Sequence, residues 1–248
     1  MPKPKKSRLD VFLVEQGLCA SREQAQRAVM AGEVRIGDRI VNKSSVMVAP
    51  DAAVSVEMLA RYVGRGGLKL EGALDHFQIP VAGLTALDIG ASTGGFTDCL
   101  LQRGATKVYA IDVGHGQLAW KIRNDPRVVV REKLNARHLN RQDVPDQIDL
   151  CVTDVSFISL TLILPNAFDL VTPNGMILAL IKPQFELQSS DVGHGGIVRE
   201  AELHEKAQNK IRDFVVKAGH NVIGLVPSAI TGADGNQEFF ICVQRKSA

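Results

Sequence analysis

The sequence predicts an α/β protein with a Rossmann-like sheet whose last strand is antiparallel, preceded by a small α+β domain. A glycine-rich turn, DIGASTGGFTD at residues 88–98, joins an apolar strand to a helix. Further apolar strand patterns end at residues 112, 154 and 182, at the intervals typical of alternating strands and helices. The first sixty residues differ, because they combine two short helical patterns with a tight hairpin turn.

The composition fits a soluble enzyme of a reducing compartment. The chain has 248 residues, 45% of them hydrophobic, enough for one full α/β core and a small extra module. The basic N-terminus lacks the apolar region of a secretory signal, and the longest apolar run, GMILALI, is far too short to cross a bilayer. We therefore expect a cytoplasmic protein. The four cysteines lie far apart without metal-type spacing and are expected in the core, with no metal site: Cys19, Cys99, Cys151 and Cys242.

The small domain, expected over residues 1–59, begins with two helices. The first is predicted from an N-cap at Ser7 to a stop at Gly17, and the second from an N-cap at Ser21 to Gly32. The alternating segment that follows turns at residues 37–38, a Gly-Asp pair typical of a β-hairpin.

Positive charge is concentrated at the front of the chain. Residues 1–69 carry twelve Lys or Arg against seven Asp or Glu, whereas residues 70–248 carry seventeen against twenty. A basic module attached to a domain without net positive charge is typical of proteins that dock on a phosphate backbone, although solvated surface lysines give the same count. The side chains expected to contact such a backbone are Arg8, Arg22, Arg27, Arg35, Lys43 and Arg65.

A glycine-rich segment at residues 60–67 is predicted to be a flexible linker to the second domain, residues 68–248. A helix is predicted over residues 68–77, with Lys69 in its first turn. A cation there faces the positive end of the helix dipole, which indicates either another requirement for Lys69 or a simple solvated linker residue.

The glycine-rich turn predicts a site for a nucleoside. Its G-x-x-x-G-G spacing is neither the dinucleotide fingerprint nor a phosphate loop, and no lysine follows it. A nucleoside with an amino-acid tail, such as S-adenosylmethionine, fits better, while a purely structural connector is the alternative. The residues of this turn expected to bind the cofactor are Asp88, Gly90, Ala91, Ser92, Gly94 and Phe96.

The next two strand ends extend the predicted cofactor site. Asp112 ends the neighbouring strand, where an acid suits a ribose diol. Asn135 and Ala136 follow a third strand and are expected to frame the adenine, with an ordinary turn as the alternative. For Phe96, packing in the core competes with contact to the cofactor, and for Trp120 we expect a place in the core.

Four further charged residues are expected at the carboxyl edge of the sheet, where α/β proteins bind ligands. Asp154 and Lys182 end two strands, and Glu238 begins an antiparallel last strand. With Lys69 they are predicted to converge beside the glycine loop. A structural Asp–Lys ion pair is the competing interpretation.

The chain resembles two known families. Residues 7–56, through R-L-D-x-x-L, G-L-x-x-S-R-x-x-A and the x-G-x-V hairpin, resemble the RNA-binding fold first described in small-subunit ribosomal protein four. The four charged residues and the glycine loop resemble the Lys-Asp-Lys-Glu tetrad of FtsJ-like 2′-O-ribose methyltransferases. From about residue 7 to 245 the chain resembles the haemolysin-named TlyA family, through ASTGGFTD, GQLAWKIRNDPRV, TDVSFISL, IKPQFE, GGIVRE and GN-x-EFF.

The resemblance implies a class I methyltransferase sheet and transfer of a methyl group from S-adenosylmethionine to the 2′-hydroxyl of a cytidine in 16S or 23S ribosomal RNA, or both. The implied partner is ribosomal RNA within a subunit or ribosome, with no membrane and no obligate protein partner. Two other hypotheses are a membrane-active haemolysin and a non-catalytic RNA-binding assembly factor.

The chemistry explains why such a tetrad is needed. A ribose 2′-hydroxyl is a poor nucleophile until its proton is removed. Lys182 is the candidate base, because burial and the second cation Lys69 disfavour a charged amine, whereas Asp154 and Glu238 orient the amines and favour their charge. The residues leave this balance open.

Overall fold

The computed structural model describes residues 6–30, 32–56, 61–232 and 234–247 of the chain. The chain divides into two compact units, Met1–Ala60 and Arg61–Ala248. Residues 61–67, for which the sequence predicts a flexible linker, lie within the second unit. The boundaries 1–59, 60–67 and 68–248 stay predictions.

The first unit is a small α+β domain. Its strands form two small antiparallel sheets, one of β1 with β4 and one in the order β3, β2, β5. The hairpin expected around residues 37–38 is confirmed, since β2 and β3 pair directly across that turn. The elements are β1 (Ser7–Arg8), α1 (Leu9–Glu15), α2 (Arg22–Met30), β2 (Val34–Ile36), β3 (Arg39–Ile40), β4 (Met47–Val48) and β5 (Val54–Val56).

One of the two helix N-caps predicted in this unit is confirmed, and the other is wrong. The Oγ atom of Ser21 accepts a hydrogen bond from the Gln24 N–H at 3.2 Å, so the predicted cap of α2 is confirmed. The predicted cap at Ser7 is wrong, because Ser7 lies in β1 opposite Val48 and α1 begins at Leu9. Ser7 therefore pairs in a β-sheet, although local sequence rules favour it as a helix N-cap.

The second unit is a sheet with helices on both faces. Its elements are α3 (Gly66–His76), β6 (Thr85–Ile89), α4 (Gly95–Gln102), β7 (Lys107–Ile111), α5 (Trp120–Arg123), β8 (Val128–Arg131), β9 (Ile148–Thr153), α6 (Leu164–Leu170), β10 (Val171–Ile181), α7 (Pro183–Glu186), α8 (Ala201–Lys217), β11 (Asn221–Pro227) and β12 (Phe239–Gln244). Short 3-10 helices cover Ala136–His138, Leu160–Leu162, Ser189–Asp191 and His194–Gly196.

Seven strands form this sheet in the order β11, β12, β10, β9, β6, β7, β8. The run from β10 to β8 is parallel, whereas β12 is antiparallel to both of its neighbours. The predicted antiparallel last strand is confirmed. As a result, the start of β12 lies at the same edge as the carboxyl ends of the parallel strands.

Helix α3 begins at Gly66, two residues before the predicted start. It buries Leu70, Ala73 and Leu74, as its apolar spacing predicts. A Cβ atom on Gly67 would overlap the ring of Tyr62, which is buried. The close approach of that ring therefore requires a glycine in the first turn of α3.

Burial is confirmed for the four cysteines but not for the tryptophan. All four cysteines are free and buried, as expected. The prediction for Trp120 is wrong, because its side chain is 80% exposed. Helix α5 has four residues and buries Ile122, so its other faces remain at the surface.

Candidate active site

Strand register brings three of the four predicted catalytic residues to one edge of the sheet. Ile181 of β10 pairs with Phe239 of β12, so Lys182 and Glu238 occupy the next positions on adjacent strands. Asp154 directly follows β9, the other neighbour of β10. The sequence predicts this convergence correctly, because it follows from strand ends and the direction of the last strand.

Lys69, Asp154, Lys182 and Glu238, which we call the edge cluster, form two ion pairs. The Nζ atom of Lys182 lies 2.5 Å from Oδ1 of Asp154. The Nζ atom of Lys69 lies 2.5 Å from Oε2 of Glu238, and both of these side chains are buried. Such desolvated charges are stable only when paired.

The Lys182–Asp154 pair borders a cavity of about 210 Å³. Gly66 of α3 and Phe96 of α4 also line it. An ideal Cβ atom on Gly66 would lie 3.9 Å from Oδ2 of Asp154, so the start of α3, one turn before Lys69, reaches this carboxylate. The Lys69–Glu238 pair does not line the cavity. The two pairs therefore differ in access, with Lys182 facing the cavity and Lys69 enclosed.

A larger cavity of about 520 Å³ adjoins the first. Its walls are mostly apolar, with Ile111, Val155 and Ile163 among them, and Asp112 and Asn135 add polar groups. The two cavities share four lining residues: Gly90, Ser92, Asp154 and Ser156. A mostly apolar pocket with few polar groups is typical of a small-molecule site.

Asp112 is fixed at the mouth of the larger cavity by two main-chain donors. Its Oδ2 accepts from the Ser92 N–H and its Oδ1 from the Gly114 N–H, each at 2.7 Å. Carboxylate oxygens have further lone pairs, so both can still accept bonds from a diol. This geometry suits the predicted ribose contact.

Asn135 and Ala136 line the larger cavity as predicted. The Oδ1 atom of Asn135 accepts from the Arg137 N–H at 3.0 Å, which caps the short helix Ala136–His138. The carbonyl of Ala136 accepts from Asn166 at 2.9 Å. The Asn135 Oδ1 atom thus stabilises the turn, and its amide N–H groups remain the part suited to a base.

The glycine loop is shaped by protein packing more than by ligand clearance. Gly90 and Gly94 have positive φ angles of 87° and 97°. A Cβ atom on Gly90 would overlap the Asp154 carbonyl, one on Gly94 would lie 2.9 Å from Leu118, and one on Gly95 would lie 3.0 Å from the Gly64 carbonyl. The absence of side chains on these glycines therefore lets the loop pack closely against neighbouring segments.

Asp88 lies behind the loop and does not line either cavity. Its side chain is fully buried, and Oδ2 accepts from the Thr97 hydroxyl at 2.6 Å. Burial raises the pKa of Asp88 to about 7, and the Asp154 carboxylate adds to the rise while the Thr97 hydrogen bond opposes it. This position corrects the expected direct contact with a cofactor and indicates that Asp88 supports the loop.

Ala91 and Phe96 are buried residues that line the smaller cavity. The ring of Phe96 stacks on Phe240, with centroids 6.0 Å apart. The core interpretation of Phe96 is therefore confirmed, and its contact with the cofactor stays a prediction.

Two residues of this edge escape the sequence analysis. The Ser156 hydroxyl accepts a hydrogen bond from Lys182 Nζ at 2.9 Å. The buried Glu186 of α7 accepts from the Ser159 hydroxyl at 2.6 Å and the Leu160 N–H at 2.7 Å, and it pairs with Lys210 at 2.9 Å. Glu186 therefore holds the loop that carries Ser156. In sequence, TDVSFISL and IKPQFE mark both segments without showing that they meet.

In the first unit, the predicted RNA-binding residues Arg8 and Arg22 surround Asp10. The carboxylate of Asp10 accepts from both arginines at 3.0 Å and from Gln26 at 2.9 Å. We call Arg8, Asp10, Arg22 and Gln26 the Asp10 cluster. The arginines hold the pKa of Asp10 well below its usual range, with the Arg8 hydrogen bonds the largest cause. Asp10 is buried while the arginine side chains are about half exposed.

The other predicted RNA-binding residues lie at the surface. Arg27 and Lys43 are exposed in the first unit, where Arg35 donates to the Asp38 carbonyl at 3.1 Å, and Arg65 is exposed in the second unit. Arg27, Lys43 and Arg65 offer positive charge to solvent, and the assignment of all four residues to RNA stays a prediction.

The residues around the larger cavity fit the predicted cofactor. The Asp112 carboxylate suits a ribose, and the Asn135 amide beside apolar walls suits a base. The glycine loop at Gly90 suits an amino-acid tail. The fold and this site define a Rossmann-like methyltransferase that uses S-adenosylmethionine.

Two family models match the chain. The model described as FtsJ-like methyltransferase matches residues 62–245, and the model described as S4 domain matches residues 7–54. The chain belongs to the FtsJ-like methyltransferase family, among the TlyA-type members that also carry an S4 domain. The predicted family, fold class, enzyme class and S-adenosylmethionine cofactor are confirmed, and the two domains together indicate an RNA substrate.

Two curated relatives cover nearly the whole chain. The 16S/23S rRNA (cytidine-2′-O)-methyltransferase TlyA of Mycobacterium tuberculosis is 42% identical over 98% of this chain and 91% of its own length. Hemolysin A of Brachyspira hyodysenteriae is 43% identical over 94% of this chain and 97% of its own length.

Solved structures agree with the fold. A Streptococcus thermophilus protein provisionally described as a hemolysin has a TM-score of 0.75 and 43% identity, and covers 98% of this chain and 90% of its own. An S-adenosylmethionine-dependent methyltransferase from Mesorhizobium loti has a TM-score of 0.55 at 14% identity over 73% of this chain and 100% of its own, which supports the fold alone.

None of the helices in the described ranges combines the length and apolar character needed to span a membrane.

Proposed function

We propose that this protein methylates the 2′-hydroxyl of a cytidine in ribosomal RNA, with Lys182 as the base. The observation that carries the proposal is the Lys182–Asp154 pair, which lines a cavity that shares four residues with the cofactor cavity. The name of the M. tuberculosis relative supports cytidine and ribosomal RNA as the target. A ribosomal substrate, within a subunit or an intact ribosome, puts the reaction in the cytoplasm.

The residues around the two cavities have different roles, one set for the cofactor and one for the acceptor. Asp112, Asn135 and the loop residues Gly90 and Ser92 would hold S-adenosylmethionine in the larger cavity, whereas Gly94 lines neither cavity. When bound, this cofactor supplies an electrophilic methyl group on a sulfonium. The protein's own task is to prepare the acceptor oxygen.

Lys182 prepares that oxygen. Its Nζ atom takes the proton of the ribose 2′-hydroxyl, and the Asp154 carboxylate stabilises the charge that forms. The enclosed Lys69–Glu238 pair adds a fixed dipole behind this site. Holding the hydroxyl in line with the methyl group supplies much of the acceleration.

The S4 domain supports docking on structured RNA. Its exposed arginines and lysine fit contacts with phosphates and 2′-hydroxyls, which dominate recognition of RNA helices. Such docking predicts binding that weakens steeply with salt.

Methyl transfer from labelled cofactor tests the proposal. The wild-type protein is incubated with ribosomal RNA freed of protein, with each subunit and with intact ribosomes. We expect label in RNA for at least one of these substrates. Absence of label in all of them contradicts the proposal and leaves a non-catalytic RNA-binding role; lysis of erythrocytes without RNA labelling supports the haemolysin hypothesis instead.

A further inference from the structure

We propose that Ser156 is a positioning residue that aims the Lys182 amine at the ribose hydroxyl. This inference rests on the proposed function, and it assigns a role to a residue outside the Lys-Asp-Lys-Glu set. Ser156 lies two residues after Asp154, in the loop between β9 and the short helix Leu160–Leu162.

The geometry around Lys182 Nζ supports this role. Oδ1 of Asp154 lies 2.5 Å away and Oγ of Ser156 lies 2.9 Å away. An amine nitrogen has four tetrahedral positions, of which the side chain occupies one. The Ser156 hydroxyl accepts the N–H at one of the remaining three, whereas Asp154 Oδ1 attracts the amine by charge and has no hydrogen bond among the described residues. The lone pair of the neutral amine occupies one of the other two positions and has to face the acceptor.

The position of Ser156 indicates where that acceptor lies. Ser156 lines both cavities, so it lies at their junction, between the predicted cofactor site and the space left for the ribose. Asp154 alone leaves the amine free to rotate about the Cε–Nζ bond. A second acceptor at the junction removes this freedom.

The loop that carries Ser156 is itself held in place. Phe157 has a φ angle of 63°, a strained value for a residue with a side chain. Glu186 binds the Ser159 hydroxyl and the Leu160 N–H just beyond it. Because Glu186 belongs to α7, which directly follows Lys182, the amine and its serine partner are connected through one rigid support.

Two kinetic measurements test the role of Ser156. For Ser156→Ala we expect kcat to fall about 10- to 100-fold, as misplacement of a reacting group does, with KM for RNA and the Kd of the cofactor within about twofold. Ser156→Thr keeps the hydroxyl and is expected to restore most of kcat. Thr106→Val is the matched control, because it removes a hydroxyl that bonds to main-chain carbonyls at the opposite edge of the sheet.

The outcomes separate this inference from the proposed function. Wild-type kcat in Ser156→Ala, alongside an inactive Lys182→Ala, overturns the role of Ser156 alone. A rise in KM or cofactor Kd at unchanged kcat also overturns it, because Ser156 would then contact a ligand directly. Failure of Ser156→Thr to restore kcat, with cofactor affinity intact, contradicts positioning by the hydroxyl. Full activity of Lys182→Ala removes the base on which both proposals rest.

Discussion

The two units of this protein bury carboxylates in opposite ways. In the Asp10 cluster, one buried carboxylate forms ion pairs with two arginines, and the side chains of both arginines remain about half exposed. In the edge cluster, each carboxylate pairs with one lysine, and only about a tenth of each lysine side chain is exposed. The first arrangement leaves its cations open to solvent, whereas the second keeps one amine beside a cavity and the other enclosed. Burial of a carboxylate therefore says little about function until the exposure of its partner is known.

Asp88 extends the comparison to a buried carboxylate without a cation. The hydroxyl of Thr97 bonds to one of its oxygens, and within the described part of the chain the other oxygen has no hydrogen-bond partner. Burial raises its pKa to about 7, whereas the arginines lower that of Asp10. A buried carboxylate without a cation is therefore easier to protonate than one held by arginines.

The largest expected effect is the loss of Lys182. General-base catalysis contributes about 10²- to 10⁴-fold, so Lys182→Ala should lower kcat by that range while leaving cofactor affinity intact. Rapid-quench measurement of methyl transfer, with isothermal titration of the cofactor, checks both. Lys107→Ala is the control, because Lys107 pairs with Asp146 at the amino edge of the sheet. Equal losses in the two variants would remove the distinction between the edge cluster and an ordinary ion pair.

The next effect concerns the enclosed pair. Lys69→Met leaves Glu238 charged and buried without its partner, so we expect a loss of about 3 kcal/mol in the free energy of unfolding. The double variant Lys69→Met, Glu238→Leu should regain most of that loss without regaining turnover. Chemical denaturation checks the stability. A double variant that turns over normally would assign the pair a purely structural role.

Asp88→Asn should stabilise the protein at high pH. Because the folded-state pKa of about 7 lies above the ordinary value of 3.8, the folded state holds the extra proton between these values. The wild-type contribution is thus favourable at low pH and is lost as pH rises through 7. We expect the variant to gain about 2 kcal/mol at pH 8 and little at pH 4, measured by denaturation against the exposed control Asp213→Asn. A gain independent of pH would contradict a raised pKa.

Asp10→Asn is expected to have the smallest effect. A loss of about 1 kcal/mol in the first unit is expected at neutral pH, because the arginines stay partly solvated. The pKa of Asp10 is lowered, so its contribution is present above the ordinary value near 4 and is lost as pH falls further. Hydrogen exchange in α1 and α2 of the full chain checks this, with the exposed Asp51→Asn as control. RNA affinity should fall with it; unchanged affinity would separate the cluster from docking.

The sequence predicts most of the edge cluster, because strand ends and the direction of the last strand are local features. Asp154, Lys182 and Glu238 follow from them. Ser156 and Glu186 do not, since their contacts join segments 26 residues or more apart.

Local patterns also fail where packing decides exposure. Trp120 carries the hydrophobicity of a core residue, yet the short helix α5 buries Ile122 instead. Ser7 fits a helix cap, yet β1 takes it into a strand. The glycine spacing of the loop correctly predicts a turn, but the groups that each glycine must clear belong to distant segments of the chain.

The chemical identity of the product tests the central claim most directly. Ribosomal RNA treated with the wild-type protein and labelled cofactor is digested to nucleosides and separated by mass spectrometry, with Lys182→Ala treated in parallel. The account predicts label in 2′-O-methylcytidine with the wild type, and a loss of at least about 10²-fold with the variant. Label on a base, or equal labelling by the two proteins, would contradict it.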